Sequence, residues 1–472
     1  MPRYDLVCLG CGPAGETAAT TAATLGRRVA VVEREGRPGG NMVNTGTIAS
    51  KVLRETALLC SAFRRRPLPG VDPAVDRTLS VAQFMSRRHL AQIEEHDRIE
   101  QVFDRLGIEV VHGTGRIAGR NAVEVATGAG SRVLESDHIL IATGSRPVRP
   151  SHVEFDDHFV FDADGILELD RIPSSMAVVG GGVIGTEYAC IFAEIGVAVT
   201  LLEPRDTVLP FLDPECREIL LQSMRDTGIR IRTMSPVQAV RPTTQGAEIA
   251  LESGGWLAAD TVLWAQGRTG NTENLGLESV GLSPDRRGLL GVDDLYRTKV
   301  PSILAVGDVI GFPALASTSI EQGRIAALRL FGGTTHEGVA QTVPLGIYTI
   351  PAVAAVGLLE EDAVKSGRNV VVGRASYRRN VRGRMLGDDT GLAKLVFDGD
   401  TQVLLGATIV GEDATELVHL AQMAIVAGLG IDYFVSACMN YPSLTDLYKL
   451  AARDALRQID RRSNTSGAER AA

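Results

Sequence analysis

Lysine is nearly missing from this chain: five lysines stand against 43 arginines, so Lys51 is drawn from a scarce residue type. Positive charge as a whole is in deficit. The net charge of −9 excludes the basic field on which non-specific nucleic-acid binding depends, and no nucleic-acid partner is expected. No apolar run reaches the roughly 18 residues of a membrane span, so no membrane partner is expected either. Six cysteines in 472 residues are too few for a disulfide framework and point to a reducing cytoplasm. The eight histidines show no metal-ligand spacing, and no metal is expected. The N-terminal YDLVCLG runs straight into a glycine turn, which argues against a signal peptide. What remains is ordinary: 44% hydrophobic and 22% charged residues, in a length that suits about three domains.

The chain opens with an apolar run, a GCGPAG turn, the small-residue helix pattern ETAATTAATLG and a second β-type run, RRVAVVE. This is one βαβ unit. Gly10, Gly12 and Gly15 give G-x-G-x-x-G between strand and helix: the first for the tight turn, the second for approach of backbone to a pyrophosphate, the third for close packing. The helix N-terminus offers unpaired N–H groups to phosphate. Glu33 ends the second strand, where a carboxylate can accept bonds from ribose hydroxyls.

The unit repeats beyond residue 150 as SMAVVGGGVIG, TEYACIFAEIG and VAVTLLE, with Gly180, Gly182, Gly185 and Glu203 at the matching places. An acid there favours NAD. Arg205, two residues later, could instead pair with a 2′-phosphate, or be a solvated surface arginine. Cys8 and Cys11 spell C-x-x-C, but they fall on a buried strand and in the phosphate turn, where packing needs small residues. Cys60, Cys190, Cys216 and Cys438 are scattered and read as small core residues.

Residues 52–107 read as mostly helical, broken by the proline-rich RRRPLPGVDP, and 108–143 as short strands ending in HILIATG. PSILAVGDVIG and the helical SIEQGRIAALRLFGG return the chain to its first domain. The expected fold class is α/β: two Rossmann-like dinucleotide-binding domains and an α+β C-terminal domain. The boundaries are 1–150 and 269–340 for the first domain, 151–268 for the second and 341–460 for the third, with a disordered polar tail at 461–472.

The first loop with Glu33, GGNMVNTGTIASK at 39–51, ATG at 142–144, the second loop with Glu187, and AVGD at 305–308 come in a familiar order. Over about residues 4–458 the chain resembles the flavin-dependent pyridine nucleotide–disulfide oxidoreductases. The resemblance implies FAD on the first domain, NAD(P)(H) as substrates on the second, and a C-terminal dimerisation domain that makes a homodimer or higher homo-oligomer. It implies that Asp308 binds the ribityl or phosphate portion of the flavin. Thr143, Gly144, Ser145, Gly115, Ala314 and Leu315 would line the FAD site, and Gly267 the nicotinamide side. In the loop, Gly39 and Gly40 would pass the flavin phosphates, Asn41 would donate hydrogen bonds there, and Thr47 would lie on the isoalloxazine face. Lys51 would begin the following helix and point at flavin N5, with Glu187 placed to pair with it. These two are the expected catalytic residues; the bland alternatives are a surface lysine and a domain-interface salt bridge.

The departures from the family decide the function. Where the disulfide reductases carry C-x-x-x-x-C, this chain has Met42 and Thr47, which form neither thiolate nor disulfide. The family's His-Pro…Glu pair reads NYPSLTD, with Tyr441 and Asp446, and a tyrosine of pKa near ~10 is a poor proton shuttle at neutral pH. The chain is similar to one branch, the soluble Si-specific pyridine nucleotide transhydrogenases, at GTIASK (with Ala49 where the branch has proline), PLGIYTIP, ALAS…EQGR and YFVSACMNYPSL. Met42 departs from the branch as well, which keeps the first loop cysteine. The expected activity is FAD-dependent hydride transfer between NADPH and NAD⁺ by a ping-pong route. The alternatives are an NAD(P)H dehydrogenase (diaphorase) serving a quinone or other acceptor, and a non-catalytic FAD-binding dimer.

Overall fold

The computed structural model describes residues 3–66, 79–333 and 342–471. It divides into two compact units, the first made of Met1–Thr56, Leu79–Ile172 and Leu263–Ala340, the second of Ala57–Thr78, Pro173–Val262 and Gln341–Ala472. Residues 269–340 lie in the first unit, together with residues 151–172.

The first unit is built on a parallel sheet in which Tyr4–Leu9 lies between Val29–Glu33 and Gly130–Ile141, with Glu109–His112 and Ile303–Ala305 outside them. Its strands are buried on both faces, and successive side chains go to opposite sides. Val7, Leu9, Val32, Ile139 and Ile141 enter one core, which the antiparallel strands Thr114–Gly119 and Ala122–Thr127 cover with Ile117, Val123 and Val125. Leu6, Cys8, Val29, Val31 and Leu140 enter the other, beneath the helices Pro13–Thr24, Val81–Leu106 and Ala316–Phe331. The alanine-rich first helix lets its neighbour come close: a Cβ on Gly323 would lie 2.2 Å from the Ala14 carbonyl oxygen. The long helix starts on a capping box between Ser80 and Gln83 and ends at Gly107 in the left-handed region.

In the second unit Ser175–Val179 pairs in parallel with Ala198–Leu202, and that strand with Arg230–Arg232. The helix Val183–Glu194 follows the second glycine loop. A five-stranded antiparallel sheet from Leu345–Ile347 to Leu404–Gly411 packs against Ala414–Val426 and Asp446–Ala471.

Two expectations change. The stretch 39–51 is mostly helix: Gly39, at φ +109°, opens a short helix Gly40–Asn44, and a second helix, Thr47–Cys60, begins three residues later. The last helix runs to Ala471, over the tail expected to be disordered; that tail contains no proline and several good helix formers. Most of RRRPLPGVDP lies outside the described residues.

Candidate functional site: two glycine cradles and a cavity

The first cradle lies wholly in the first unit. Gly10 sits at φ +98°, and a Cβ there would lie 2.5 Å from the Ala142 carbonyl oxygen. Gly12 caps the helix Pro13–Thr24 in extended backbone. Gly40, at φ +53°, passes so close that a Cβ on it would be 2.6 Å from the Gly12 Cα. The segment 39–51 therefore crosses the phosphate turn backbone to backbone at Gly40, which only glycine permits. Gly15 packs behind the turn, its absent Cβ leaving room for the Gly10 carbonyl oxygen.

These segments wall a cavity of about 840 Å³. From the first loop and strand come Gly10, Gly12 and Glu33; from the second segment Gly40, Asn41 and Thr47. Gly115, Thr143, Gly144 and Ser145 line it from the sheet, and Asp308 and Ala314 from the AVGD turn. The cavity volume falls in the range of small-molecule and cofactor sites. Its unpaired helix N–H groups, the Glu33 carboxylate and the bare glycine backbone suit a dinucleotide. Leu315 instead caps the helix Ala316–Phe331. Gly267, at φ +94°, offers its carbonyl to the Val148 N–H. Lys51 stands one turn beyond Thr47, half-buried, with its Nζ 3.4 Å from the Ser50 Oγ.

Asn41 is not free to serve phosphate with its whole amide, because Nδ2 donates to the Ser145 carbonyl oxygen at 2.6 Å. Ser145 Oγ in turn donates to Asp308 Oδ2 at 2.8 Å. Arg268 holds Ser145 from the other side, with Nε 2.9 Å from Oγ and Nη2 2.8 Å from the carbonyl oxygen, while Nη1 reaches Asp164 at 3.3 Å. Burial raises the pKa of the Asp164 carboxyl against the pull of Arg268. Asn271 fixes the ATG turn: its Nδ2 donates to the Thr143 carbonyl oxygen at 2.9 Å, and Thr143 Oγ1 donates to the Asn271 carbonyl oxygen at 2.8 Å. The AVGD turn is fixed by Gln322, which accepts from the Gly307 N–H at 2.7 Å. Arg268, Asp164, Asn271 and Gln322 were not anticipated. Arg268 and Asn271 fall in RTGN, directly after Gly267, and Gln322 in EQGR, but no spacing in the sequence marks their roles.

The second cradle lies in the second unit. Gly180 is at φ +114°, Gly182 caps the helix Val183–Glu194, and a Cβ on Gly185 would lie 1.9 Å from the Gly180 carbonyl oxygen. Glu203 is 1% exposed, and Arg205 closes on it with Nε 2.6 Å from Oε1. Arg205 is thus ion-paired rather than simply solvated. Glu187 is buried on the helix and accepts from the Tyr348 backbone N–H at 2.8 Å.

The cysteines carry no redox machinery. Cys8 and Cys11 are unpaired and buried; burial pushes the Cys8 thiol up to about 12 and the Cys11 thiol well above its usual value. Cys190 and Cys216 are buried as expected, but Cys60 is half-buried and Cys438 exposed. Among the described residues no cluster of His, Cys, Asp and Glu could hold a metal, and no helix is long and apolar enough to cross a membrane.

Comparison with known proteins agrees with this geometry. The pyridine nucleotide-disulphide oxidoreductase model matches residues 4–323, and its dimerisation domain matches residues 343–452. A soluble pyridine nucleotide transhydrogenase of Mycobacterium bovis is 43% identical over 97% of this chain and 98% of its own length. Another, of Yersinia enterocolitica, is 39% identical over 97% and 99%. Among solved structures, the chain is similar to LpdA from Mycobacterium tuberculosis, with TM-score 0.88, 28% identity, and 95% of this chain and 98% of that one covered. It is also similar to the HOCl-induced flavoprotein disulfide reductase RclA from Escherichia coli, at TM-score 0.88 and 27% identity over 96% and 99%. With two glycine cradles in the expected places and both family models matched along its length, the chain belongs to the pyridine nucleotide-disulphide oxidoreductases.

Proposed function

We propose that this protein is an FAD-dependent, Si-specific NAD(P)⁺ transhydrogenase that moves hydride between NADPH and NAD⁺ as a homodimer. The observation that carries the proposal is the cavity wall at Met42 and Thr47. The positions that hold the redox thiols of the disulfide reductases are filled here by a thioether and a hydroxyl, while both nucleotide cradles are complete. The dithiol relay is gone and the hydride route is kept. The transhydrogenase relatives, matched over 97% of the chain, support the same reading.

FAD bound in the cavity supplies a carrier that accepts a hydride and gives it back. The protein's own part is placement and charge. Gly10, Gly12 and the first turn of the helix receive the pyrophosphate, Glu33 the ribose, and Asp308, braced by Ser145 and Arg268, the ribityl or phosphate portion. Lys51 provides a fixed ammonium that favours the more negative, reduced state of the site. Glu187, held by the Tyr348 N–H, is the second catalytic residue of the proposal. The two nicotinamide nucleotides use the second cradle in turn, so the kinetics are ping-pong and no acid–base residue is needed. The setting is cytoplasmic, in keeping with Cys8 and Cys11, which lie close in sequence without forming a disulfide.

The test is anaerobic. NADPH should bleach the flavin of the purified holoprotein, and thio-NAD⁺ added next should give thio-NADH. Bleaching without transfer would sink the transhydrogenase and point to a dehydrogenase with another acceptor; absence of bleaching with either nucleotide would sink both.

A further inference from the structure

The two cradles of this chain are built alike, and one difference between them is informative. In the first, Glu33 is 5% exposed; it accepts the Cys11 N–H on Oε2 at 2.8 Å and the Glu35 N–H on Oε1 at 2.9 Å. In the second, Glu203 accepts the Gly181 N–H on Oε2 at 2.7 Å and the Arg205 N–H on Oε1 at 2.9 Å. Each carboxylate thus ties its glycine turn to the residue two places beyond it. At that place the first cradle has a second acid, Glu35, and the second has Arg205. The Arg205 side chain folds back over the acid, with Nε 2.6 Å from Oε1 and Nη2 3.0 Å from Oε2. Its own side chain is still 51% exposed.

An NAD-type ribose is recognised by an acid with acceptor lone pairs to offer to the 2′ and 3′ hydroxyls. Glu203 has both oxygens taken, each by one backbone N–H and one guanidinium N–H. A 2′-phosphate needs the reverse: a neutralised acid and an exposed guanidinium edge. The closed arrangement supplies both, because Nε and Nη2 hold the carboxylate and Nη1 is not used on it. We propose that Arg205 is a specificity latch, which favours NADP when closed over Glu203 and must open before Glu203 can take the ribose hydroxyls of NAD. It is then not a neutral addition to an NAD site but an obstacle to NAD. This deepens the transhydrogenase reading and rests on it for the identity of the second cradle.

The latch predicts effects of opposite sign. Holoprotein carrying Arg205→Ala keeps both backbone N–H bonds to Glu203, so the turn itself is undisturbed. Direct titration with 2′-phospho-ADP-ribose should show binding weakened about tenfold or more, the scale of a lost charge-assisted contact. Titration with ADP-ribose should show binding tightened about threefold or more, from release of the covered acceptors. Arg205→Lys, a single point charge that cannot cover both oxygens, should fall between wild type and alanine for both ligands. If Arg205→Ala weakens both ligands, or leaves ADP-ribose binding unchanged, the latch is wrong while the nucleotide site stands. If the wild-type holoprotein binds neither ligand, the assignment of the second cradle falls, and the latch with it.

Discussion

Lys51 differs from the glycines of the site in that charge, not shape, is what it would contribute. It lies on a continuous helix, Thr47–Cys60, so its removal leaves the backbone of the cavity untouched. Replacement by alanine should keep FAD bound while slowing flavin reduction by NADPH by about tenfold or more, given that single preorganised electrostatic groups are commonly worth ~100-fold or more. Stopped-flow reduction of the variant holoprotein checks this; loss of flavin instead of rate would make Lys51 a structural residue. Gly15 is the opposite case. A Cβ there would sit 2.0 Å from the Gly10 carbonyl oxygen, and backbone cannot step aside as a side chain does. Gly15→Ala should cost about 1–3 kcal/mol through overpacking and release FAD, seen as a fall in flavin-to-protein absorbance ratio.

Among the elements, the helix Val81–Leu106 has a part in the site that its sequence does not announce. Gln92 donates to the Asn44 carbonyl oxygen at 2.8 Å and to that of Val43 at 3.2 Å, and His96 Nε2 meets Asn44 Oδ1 at 2.8 Å. The helix thereby ties off the short helix Gly40–Asn44 that walls the cavity. His96 is buried, and its pKa is lowered, first by burial and then by Arg37, against Glu100, Asp97 and Glu95. A histidine whose folded pKa lies below its unfolded value of about 6.5 is harder to protonate in the fold, and the stability this lends is lost as pH falls below that value. FAD should therefore dissociate faster as pH drops from about 7 to 5.5, and His96→Gln should flatten that part of the profile. A profile unchanged by the substitution would place the acid sensitivity elsewhere.

The same element shows what was legible in the sequence. The cradles could be read because their chemistry is local: strand, three glycines, helix and acid lie within about thirty residues. His96, Arg268 and Asn271 act across separations of 52, 123 and 128 residues, and a polar residue that reaches a group so distant in the chain leaves no periodicity behind. The segment 39–51 misled for a different reason. Its glycines and small polar residues punctuate like a loop, yet Gly39 opens one short helix, Gly46 separates it from the next, and Gly40 admits the close approach to Gly12.

For the molecule as a whole, the second unit contains a buried ionic cluster that no motif in the chain announces. Lys394, in the middle of the strand Leu392–Asp398, has a side chain 5% exposed; its Nζ lies 2.7 Å from Asp213, 2.7 Å from Glu360 and 3.3 Å from Glu215. Asp213 also caps the helix Pro214–Asp226 through the N–H groups of Glu215 and Cys216. One ammonium thus links the nucleotide half of the unit to its antiparallel sheet, and Arg374 reinforces the link through Glu215 at 2.8 Å. Lys394→Met leaves Asp213, itself 2% exposed, without its countercharge. Breaking such a pair from one side costs about 3–5 kcal/mol. Lys365→Ala removes an exposed ion pair to Glu361 on the same unit, worth at most about 0.5 kcal/mol, and serves as the control. Burial alone would lower the pKa of Lys394, but its hydrogen bonds to Asp213 and Glu360 carry it above the ordinary lysine value. A folded pKa above the unfolded one gives stability that is whole at neutral pH and lost as pH rises through the folded value. Urea unfolding of the wild type should therefore weaken above about pH 10.4, the unfolded lysine value, and Lys394→Met should be less stable at pH 7 while losing that alkaline slope. If the variant matched the control at pH 7, the cluster would not be what holds the two halves of the second unit together.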